Sequence, residues 1–293
     1  QFMQEDTLKP HARNIAVGLS IFSIGLFKKA VLADGVAGYG TQTFEAAGQG
    51  ATLTFFEAWG GALAYTMQLY FDFSGYSDMA IGGARLFGIR LPLNFYSPYK
   101  ATSIVEFWRR WHMTLSRFLK DYLYIPLGGS RSGKIRRYIN LLVTMLLGGL
   151  WHGAGWTFVV WGCLHGFYLI INHAWHRIRQ LTGLSDVPQS PAGKLAAWLL
   201  TFLAVVIGWV FFRAPDIKTA VSILEGMAGI NGLALPGAII SRLGDIGEYL
   251  QSLGVGVYPG GGQDFVFTYL WIGALLVVAL LMPNTQQIFS LYE

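Results

Sequence analysis

Charged residues are scarce in this chain of 293 residues. Lys, Arg, Asp and Glu make up 13% of it, whereas soluble domains have about 25%, and the mean hydropathy is +0.44. So few charges cannot cover a water-facing surface of this size, which excludes a soluble domain. The hydrophobic content of 53% excludes a disordered chain, and the single cysteine, Cys163, excludes a disulfide scaffold. The composition predicts an all-α, polytopic transmembrane protein.

Stretches free of Asp, Glu, Lys and Arg mark candidate membrane spans, because a helix needs about 20 mostly apolar residues to cross the hydrocarbon core. Three such stretches are clear, and they lie at 138–176, 195–212 and 265–292. Two weaker candidates contain charges, and they lie at 14–33 and 58–84. Residues 216–250 are apolar but interrupted by glycines and a proline, so we predict short or re-entrant helices there.

Basic residues are concentrated between particular spans. Residues 85–137 contain eleven Lys or Arg against two acids, and 177–194 contain three, whereas 34–57 contain none and three acids. The positive-inside rule therefore predicts that 85–137 and 177–194 are cytoplasmic and that 34–57 and 213–264 face the other side. The Lys28–Lys29 pair falls near an outer helix end and does not fit this topology. The pI of 9.3 thus indicates topology and contact with anionic membrane lipid, not nucleic acid.

No internal repeat, low-complexity tract or hinge linker divides the chain, so we predict a single membrane domain over residues 1–293. The sequence begins with Gln1 instead of an initiator Met and carries no secretory signal peptide. We therefore expect further N-terminal membrane helices that are missing from this sequence.

The charge-free stretch 138–176 has basic residues at both ends, so both ends should lie on the cytoplasmic side. It is predicted to be a helical hairpin whose turn is marked by four glycines between residues 148 and 155. The first arm, 138–151, has 14 residues and rises roughly 21 Å, so it stops short of the far surface. His152 follows it directly and is therefore predicted to lie well inside the bilayer.

An ionisable residue at this depth is costly and marks a candidate functional site. Burial favours the neutral imidazole, and neutral His152 can take the proton of an attacking hydroxyl as a general base. The alternative is a core histidine that is hydrogen-bonded to a neighbouring helix. The glycines of the turn favour the functional interpretation, because they allow a ligand to approach the backbone closely. A break in the helix at this depth is tolerated only inside protein or beside a cavity.

The other histidines and the cysteine carry weaker signals. His173 and His176 are spaced as on one helix face, but no carboxylate or thiolate adjoins them, so we predict interface anchoring instead of a metal site. His165 lies on the same arm and His11 in a polar lead-in, and neither is assigned a role. Cys163 is predicted to be a small packing residue, not a nucleophile.

Residues 104–137 are predicted to form a cytoplasmic, interfacial amphipathic region. Apolar residues recur with helical spacing over 104–123, and charged residues occupy the opposite side. This pattern places Trp108 and Trp111 at headgroup depth and turns His112 away from the charged face. The basic residues either bind anionic lipid or attract a polyanionic acyl donor such as coenzyme A, and the sequence leaves both open.

Two carboxylates, Asp72 and Asp78, interrupt the apolar stretch 58–84. Such groups are costly in a membrane and are expected to face the bundle interior. We predict structural ion pairs, either with Arg85 or Arg90 or with upstream helices, in preference to a catalytic role.

Several motifs follow one another along the chain. They read FWRRWH at 107–112, DYLYIPLGG at 121–129, LWHG at 150–153, WG at 161–162 and HG at 165–166, with FKK at 27–29, FDFSGYSD at 71–78 and LNF at 93–95. Together they resemble the membrane-bound O-acyltransferase (MBOAT) family, and in particular its bacterial alginate O-acetyltransferase branch. The D-alanyl transfer protein of teichoic acid modification is a more distant resemblance. The match covers most of residues 10–213 and fades after Arg213.

The resemblance implies a ring of transmembrane helices in which a cytoplasmic tunnel meets a funnel from the opposite face. Their meeting point lies near an invariant histidine, which matches His152, and a second recurrent histidine matches His112. It further implies a multi-pass protein of the bacterial inner membrane that uses acetyl-CoA or an acyl-carrier thioester as donor, without a permanently bound cofactor. The expected partners are periplasmic acetyltransferase proteins and an exported polysaccharide such as alginate.

The leading hypothesis is therefore O-acetylation of an exported glycan, with His152 as the general base and His112 either orienting the donor or shuttling a proton. Two other classes stay open. A transporter or flippase would use the broken hairpin and the intramembrane carboxylates as a path, and a non-catalytic scaffold would anchor a cell-envelope modification complex.

Overall fold

The computed structural model describes residues 11–131, 133–183 and 190–290. Within these ranges the chain is a bundle of α-helices, as predicted. The long helices are α1 (Ala12–Phe27), α2 (Asp34–Gly48), α3 (Phe55–Leu86), α6 (Lys134–His152), α7 (Trp156–Leu181), α8 (Pro191–Arg213) and α12 (Gly262–Leu281). The shorter ones are α4 (Ile104–Trp108), α5 (Met113–Leu119), α9 (Ile217–Met227), α10 (Gly237–Leu243), α11 (Asp245–Ser252) and α13 (Thr285–Phe289).

Three helical stretches in the described ranges are long and apolar enough to cross a membrane, namely Ala12–Gly48, Pro191–Arg213 and Gly262–Leu281. The first consists of α1 and α2, joined without a break by the π-helical segment Lys28–Ala33. Two of the three clear stretches in the sequence thus correspond to single helices that are long and apolar enough to span. The third, 138–176, forms the α6–α7 hairpin, whose basic and histidine-containing ends lower its hydropathy.

The last predicted span is shorter than 265–292. α12 ends at Leu281, and Pro283 in the following segment cannot continue a helix. The chain then folds back as α13 against the bundle. In residues 216–250 the predicted short helices are present as α9, α10 and α11. An unpredicted two-stranded parallel sheet pairs β1 (Ala234–Pro236) with β2 (Gly256–Tyr258).

Helix α3 is the central element, because α1, α2, α8, α9 and α12 all pack against it. At its crossing with α1 the two backbones touch through glycines. A Cβ on Gly25 would lie 2.6 Å from the carbonyl oxygen of Gly75, and one on Gly18 would lie 2.8 Å from that of Gly82. Small residues that let helices approach this closely are typical of packing in membranes.

Replacing Gly25 with Ala is expected to lower the free energy of unfolding by roughly 1–3 kcal/mol, because the added methyl group overpacks the α1–α3 crossing. Gly38 on α2 is the matched control, since a Cβ there would meet nothing within 4 Å, and Gly38→Ala is expected to cost nothing. Unfolding of both variants in detergent, followed by tryptophan fluorescence, checks the difference. Equal stability of the two would contradict the packing described here.

The carboxylates of α3 are paired with lysines of the π-helical segment, not with the predicted arginines. Lys28 Nζ lies 2.7 Å from Asp78 Oδ2, and Lys29 Nζ lies 3.0 Å from Asp72 Oδ1 and 2.6 Å from Asp34 Oδ1. The lysine pair that does not fit the charge topology is thus held by acidic partners. Its position is explained by these ion pairs and not by the positive-inside rule.

The prediction of one amphipathic helix over 104–123 is wrong. α4 ends at Trp108, the chain turns, and α5 begins after His112, which has a left-handed backbone with φ of 42°. Trp108 and Trp111 are 9% and 4% exposed, so their rings are buried in the protein core instead of facing lipid. The helix is interrupted because the N–H of Met113 donates to the carbonyl of Asn94 and the carbonyl of Arg110 accepts from the N–H of Tyr96. These backbone groups therefore do not make the bonds of a continuous helix.

The hairpin also differs from its predicted bounds. α6 begins at Lys134 and has 19 residues, which corresponds to about 28 Å instead of the roughly 21 Å expected for the first arm. α7 continues to Leu181. α6 includes the basic residues before 138, because the helix begins directly after Gly133, whose φ is 88°. α6 is therefore nearly long enough to cross the hydrocarbon core, contrary to the prediction of a first arm that stops short, although His152 does end the helix.

Candidate active site

His112 and His152, the two predicted site residues, line the same small cavity. Its volume is about 30 Å³, which exceeds the roughly 10–15 Å³ that a cavity needs to hold a water molecule. Residues of helices α3 to α8 and of the connection between α4 and α5 surround it. The other lining side chains are apolar or indole, namely Leu69, Phe73, Trp108, Trp111, Leu115, Trp161, Trp209 and Phe212.

His152 is the last residue of α6, and its position depends on how that helix ends. Gly153 adopts an extended backbone, and its N–H donates to the carbonyl of Leu150. A Cβ on Gly162 of α7 would clash with the backbone of Met145, so the two arms touch directly below the turn. The half-buried His152 ring packs edge-on against Trp161 and Phe212 of the next helices, at centroid distances of 5.3 and 5.0 Å.

His112 stands at the start of α5 with a conformation that is uncommon for a residue other than glycine. The Phe73 ring of α3 packs against it at 4.7 Å. Its Nδ1 lies 3.0 Å from Oδ1 of Asn94, an oxygen that also accepts hydrogen bonds from the hydroxyl and the backbone N–H of Thr114. Strained backbone held by several contacts is typical of functional positions.

Asn94 was not among the predicted site residues. The LNF motif at 93–95 contained it, but nothing in the local pattern showed that its side chain contacts His112, because the two lie 18 residues apart. Its backbone carbonyl also accepts from the N–H of Met113. The segment around Asn94 therefore holds the left-handed turn at His112 in place.

His165 lies in the wall behind the cavity and was assigned no role from the sequence. It is fully buried, and its ring packs against Trp161 at 4.9 Å and Trp108 at 5.2 Å. Neither ring nitrogen has a hydrogen-bond partner among the described residues. Gly208 of α8 leaves room for the ring, since a Cβ there would lie 2.8 Å from Nε2.

The remaining candidates lie away from the cavity. His173 contacts Arg137 through Nδ1 at 2.9 Å and so links α7 to α6, while His176 is exposed. In the described ranges no three His, Cys, Asp or Glu side chains form a group that could hold a metal ion. Cys163 is half-buried on α7. Interface anchoring by His173 and His176 and the packing role of Cys163 stay predictions.

Comparison with known proteins adds the decisive observation, because the model of the MBOAT, membrane-bound O-acyltransferase family matches residues 1–212. The chain belongs to this family. The match ends where the sequence resemblance fades, at the end of α8, and it covers every element that lines the cavity. Both predicted site residues, His112 and His152, lie inside the matched range.

Three relatives show how the similarity is distributed. A peptidoglycan O-acetyltransferase of Helicobacter pylori is 51% identical over 236 residues, which is 80% of this chain and 43% of the relative. A probable alginate O-acetylase, AlgI, of Pseudomonas aeruginosa is 49% identical over 72% of this chain and 38% of its own length. A teichoic acid D-alanyltransferase of Streptococcus thermophilus is 33% identical over 50% of this chain. The chain spans less than half the length of these relatives.

Proposed function

We propose that this protein is a membrane O-acetyltransferase. It moves an acetyl group from a cytoplasmic thioester donor to an acceptor hydroxyl, and the acetyl group ends on an exported polysaccharide. The observation that carries the proposal is the placement of His112 and His152 in one apolar cavity. The O-acetyltransferase names of relatives at 49% and 51% identity support the reaction class.

In the proposed reaction, neutral His152 takes the proton of the acceptor hydroxyl. The oxygen attacks the thioester carbonyl, a C–O bond forms, and the C–S bond breaks with its electron pair on sulfur. The leaving thiolate then takes up one proton and departs as a thiol toward the cytoplasm. General base catalysis of this kind contributes about 10²–10⁴-fold, and positioning with exclusion of water supplies the rest.

The walls of the cavity suit this chemistry. The side chains around the two histidines are indole, phenyl and isobutyl groups, which keep water from competing with the acceptor hydroxyl. Burial among such groups penalises the imidazolium form, so His152 is available as a base. The neighbouring rings of Trp161 and Phe212 also limit how far it can turn.

The donor is proposed to be acetyl-CoA or an acyl-carrier thioester, bound transiently and not as a resident cofactor. Exposed cations on α5, the segment after it and the start of α6 fit the phosphates of either donor. They are Arg117, Lys120, Lys134 and Arg136. Anionic lipid headgroups remain the alternative ligand for these cations.

The acceptor side is proposed to involve periplasmic acetyltransferase partners and an exported glycan, with the protein in the bacterial inner membrane. The names of the relatives extend the candidate glycans from alginate to peptidoglycan. Transport is less well supported, because Asp78, one of the two carboxylates that a transport path would use, is bound by Lys28, Thr285 and Gln286.

Deleting the gene and complementing it with the full-length protein tests the proposal. We expect the deletion strain to export normal amounts of glycan that lack O-acetyl groups, and complementation to restore them. Acetyl ester content of isolated peptidoglycan and exopolysaccharide, measured by NMR, gives the readout for both candidates. Loss of glycan export itself would favour a transporter, and unchanged acetylation of both glycans would refute the proposal.

A further inference from the structure

We propose that Asn94 is a positioning residue that holds His112 in the Nδ1–H tautomer, so that His112 receives a proton at Nε2 during acyl transfer. This inference rests on the proposed function and deepens it. It separates the two roles left open for His112, because a neutral imidazole protonated at Nδ1 has only a lone pair at Nε2. His112 can then relay a proton but cannot donate a hydrogen bond from Nε2 to the thioester carbonyl.

The orientation of the Asn94 amide follows from its partners. The backbone N–H of Thr114 can only donate, and it lies 3.3 Å from the Asn94 atom that faces His112. That atom is therefore the carbonyl oxygen, and the Asn94 amide nitrogen points the other way, donating to Ser77 Oγ at 3.3 Å. The opposite orientation would face an NH₂ group toward an N–H donor.

The tautomer of His112 follows in turn. The Asn94 oxygen is an acceptor 3.0 Å from Nδ1, so Nδ1 must carry hydrogen to form this bond. A general base whose second nitrogen donates to a fixed acceptor is the arrangement by which histidine-dependent enzymes set both tautomer and ring direction. Here the acceptor is a neutral amide, which fixes the tautomer without adding negative charge beside the ring.

With this tautomer, every proton in the reaction is accounted for. The hydroxyl proton passes to His152, from His152 to Nε2 of His112, and from there to the thiolate sulfur, so that both histidines end neutral. The two rings line the same cavity, so the proton need not leave this cavity to pass from one histidine to the other. The products are the ester and the free thiol, and no proton is gained from solvent or lost to it.

Few other charges of the described residues face His112. α6 contributes only His152 to the cavity, and the lining side chains from α3, α7 and α8 are uncharged. On its own segment Arg110 is paired with Glu106 at 2.6 Å, and Arg109 lies three residues before it. The α3 carboxylates are paired with Lys28 and Lys29. A charge placed at position 94 would therefore be felt mainly by His112.

Asn94→Asp in the full-length protein tests the tautomer role. A carboxylate accepts the same bonds but favours the imidazolium form, so we expect the acidic limb of the kcat–pH profile to move upward by about one pH unit or more. Asn94→Leu removes the acceptor, and we expect kcat to fall roughly 10–100-fold, as when an orienting partner is removed. The KM for the thioester donor should change less than about twofold.

Ser77→Ala is the control within the same network, because it removes the bond to the Asn94 nitrogen and leaves the oxygen bonded to Thr114. Its pH profile should match that of the unmodified protein. An unshifted acidic limb in Asn94→Asp would overturn the inference, even if Asn94→Leu were inactive through misfolding. His152→Ala, measured in parallel, distinguishes the two proposals. Activity in that variant refutes the assignment of His152 as the base. An inactive His152→Ala together with an unshifted acidic limb in Asn94→Asp refutes only the role of Asn94.

Discussion

Replacing His152 with Ala in the full-length protein is expected to lower acetyl transfer by at least about 100-fold. The reason is that the reaction loses the group that takes the hydroxyl proton, and general bases contribute about 10²–10⁴-fold. The helix end should persist, because Gly153 and the glycine contacts between α6 and α7 set it without the imidazole. Acetyl ester content of the glycan and thiol release in isolated membranes measure the loss.

His176→Ala is the matched control for this prediction. His176 lies on the same hairpin but is exposed and remote from the cavity, so its removal should leave acetyl transfer within about twofold. Protein level and membrane insertion of both variants are compared by immunoblotting. If His152→Ala retained more than a tenth of the activity at normal abundance, His152 would not be the base.

Replacing Asp78 with Ala is expected to lower the free energy of unfolding by about 3–5 kcal/mol, the cost of leaving one partner of a buried ion pair without the other. Its carboxylate is 8% exposed and accepts from Lys28 and Thr285, at 2.7 Å each, and from Gln286 at 3.2 Å. It thereby ties α3 to the π-helical segment and to α13. Stability is measured by titrating denaturant into the detergent-solubilised protein.

Asp72→Ala provides the matched control on the same helix. The side chains of Asp72 and its partner Lys29 are 44% and 42% exposed, and exposed pairs contribute about 0–1 kcal/mol. The two substitutions should therefore differ by about 2 kcal/mol or more. Equal losses would show that the Asp78 network does not stabilise the bundle as its geometry indicates.

The fold class could be predicted because it follows from bulk properties of the sequence. Scarce charge and long apolar stretches are sufficient to indicate spanning helices, and α8 and α12 appear where charge-free stretches occur. The short helices after α8 were predicted from their glycines. The glycine-rich turn marked His152 as a candidate, whereas His112 became one through its match to a recurrent histidine of the family that the motifs resemble.

Features that depend on distant contacts could not be predicted. The helical spacing over 104–123 is real, but backbone hydrogen bonds that join Met113 and Arg110 to the distant segment 94–96 interrupt the helix. The partner of Asp78 in α13 lies 207 residues away, and Asn94 meets His112 only because a loop returns to α5. These contacts form only when the chain is folded, and no periodic pattern in the local sequence indicates them.

The most direct test of the account is a cryo-EM structure of the full-length protein with a non-hydrolysable thioester analogue of acetyl-CoA. We expect the acyl carbonyl to enter the cavity between His112 and His152. Its carbon should lie close enough for a hydroxyl hydrogen-bonded to His152 to reach it, at about 3–3.5 Å. An acyl group bound elsewhere, with both imidazoles out of reach of the carbonyl, would contradict the account.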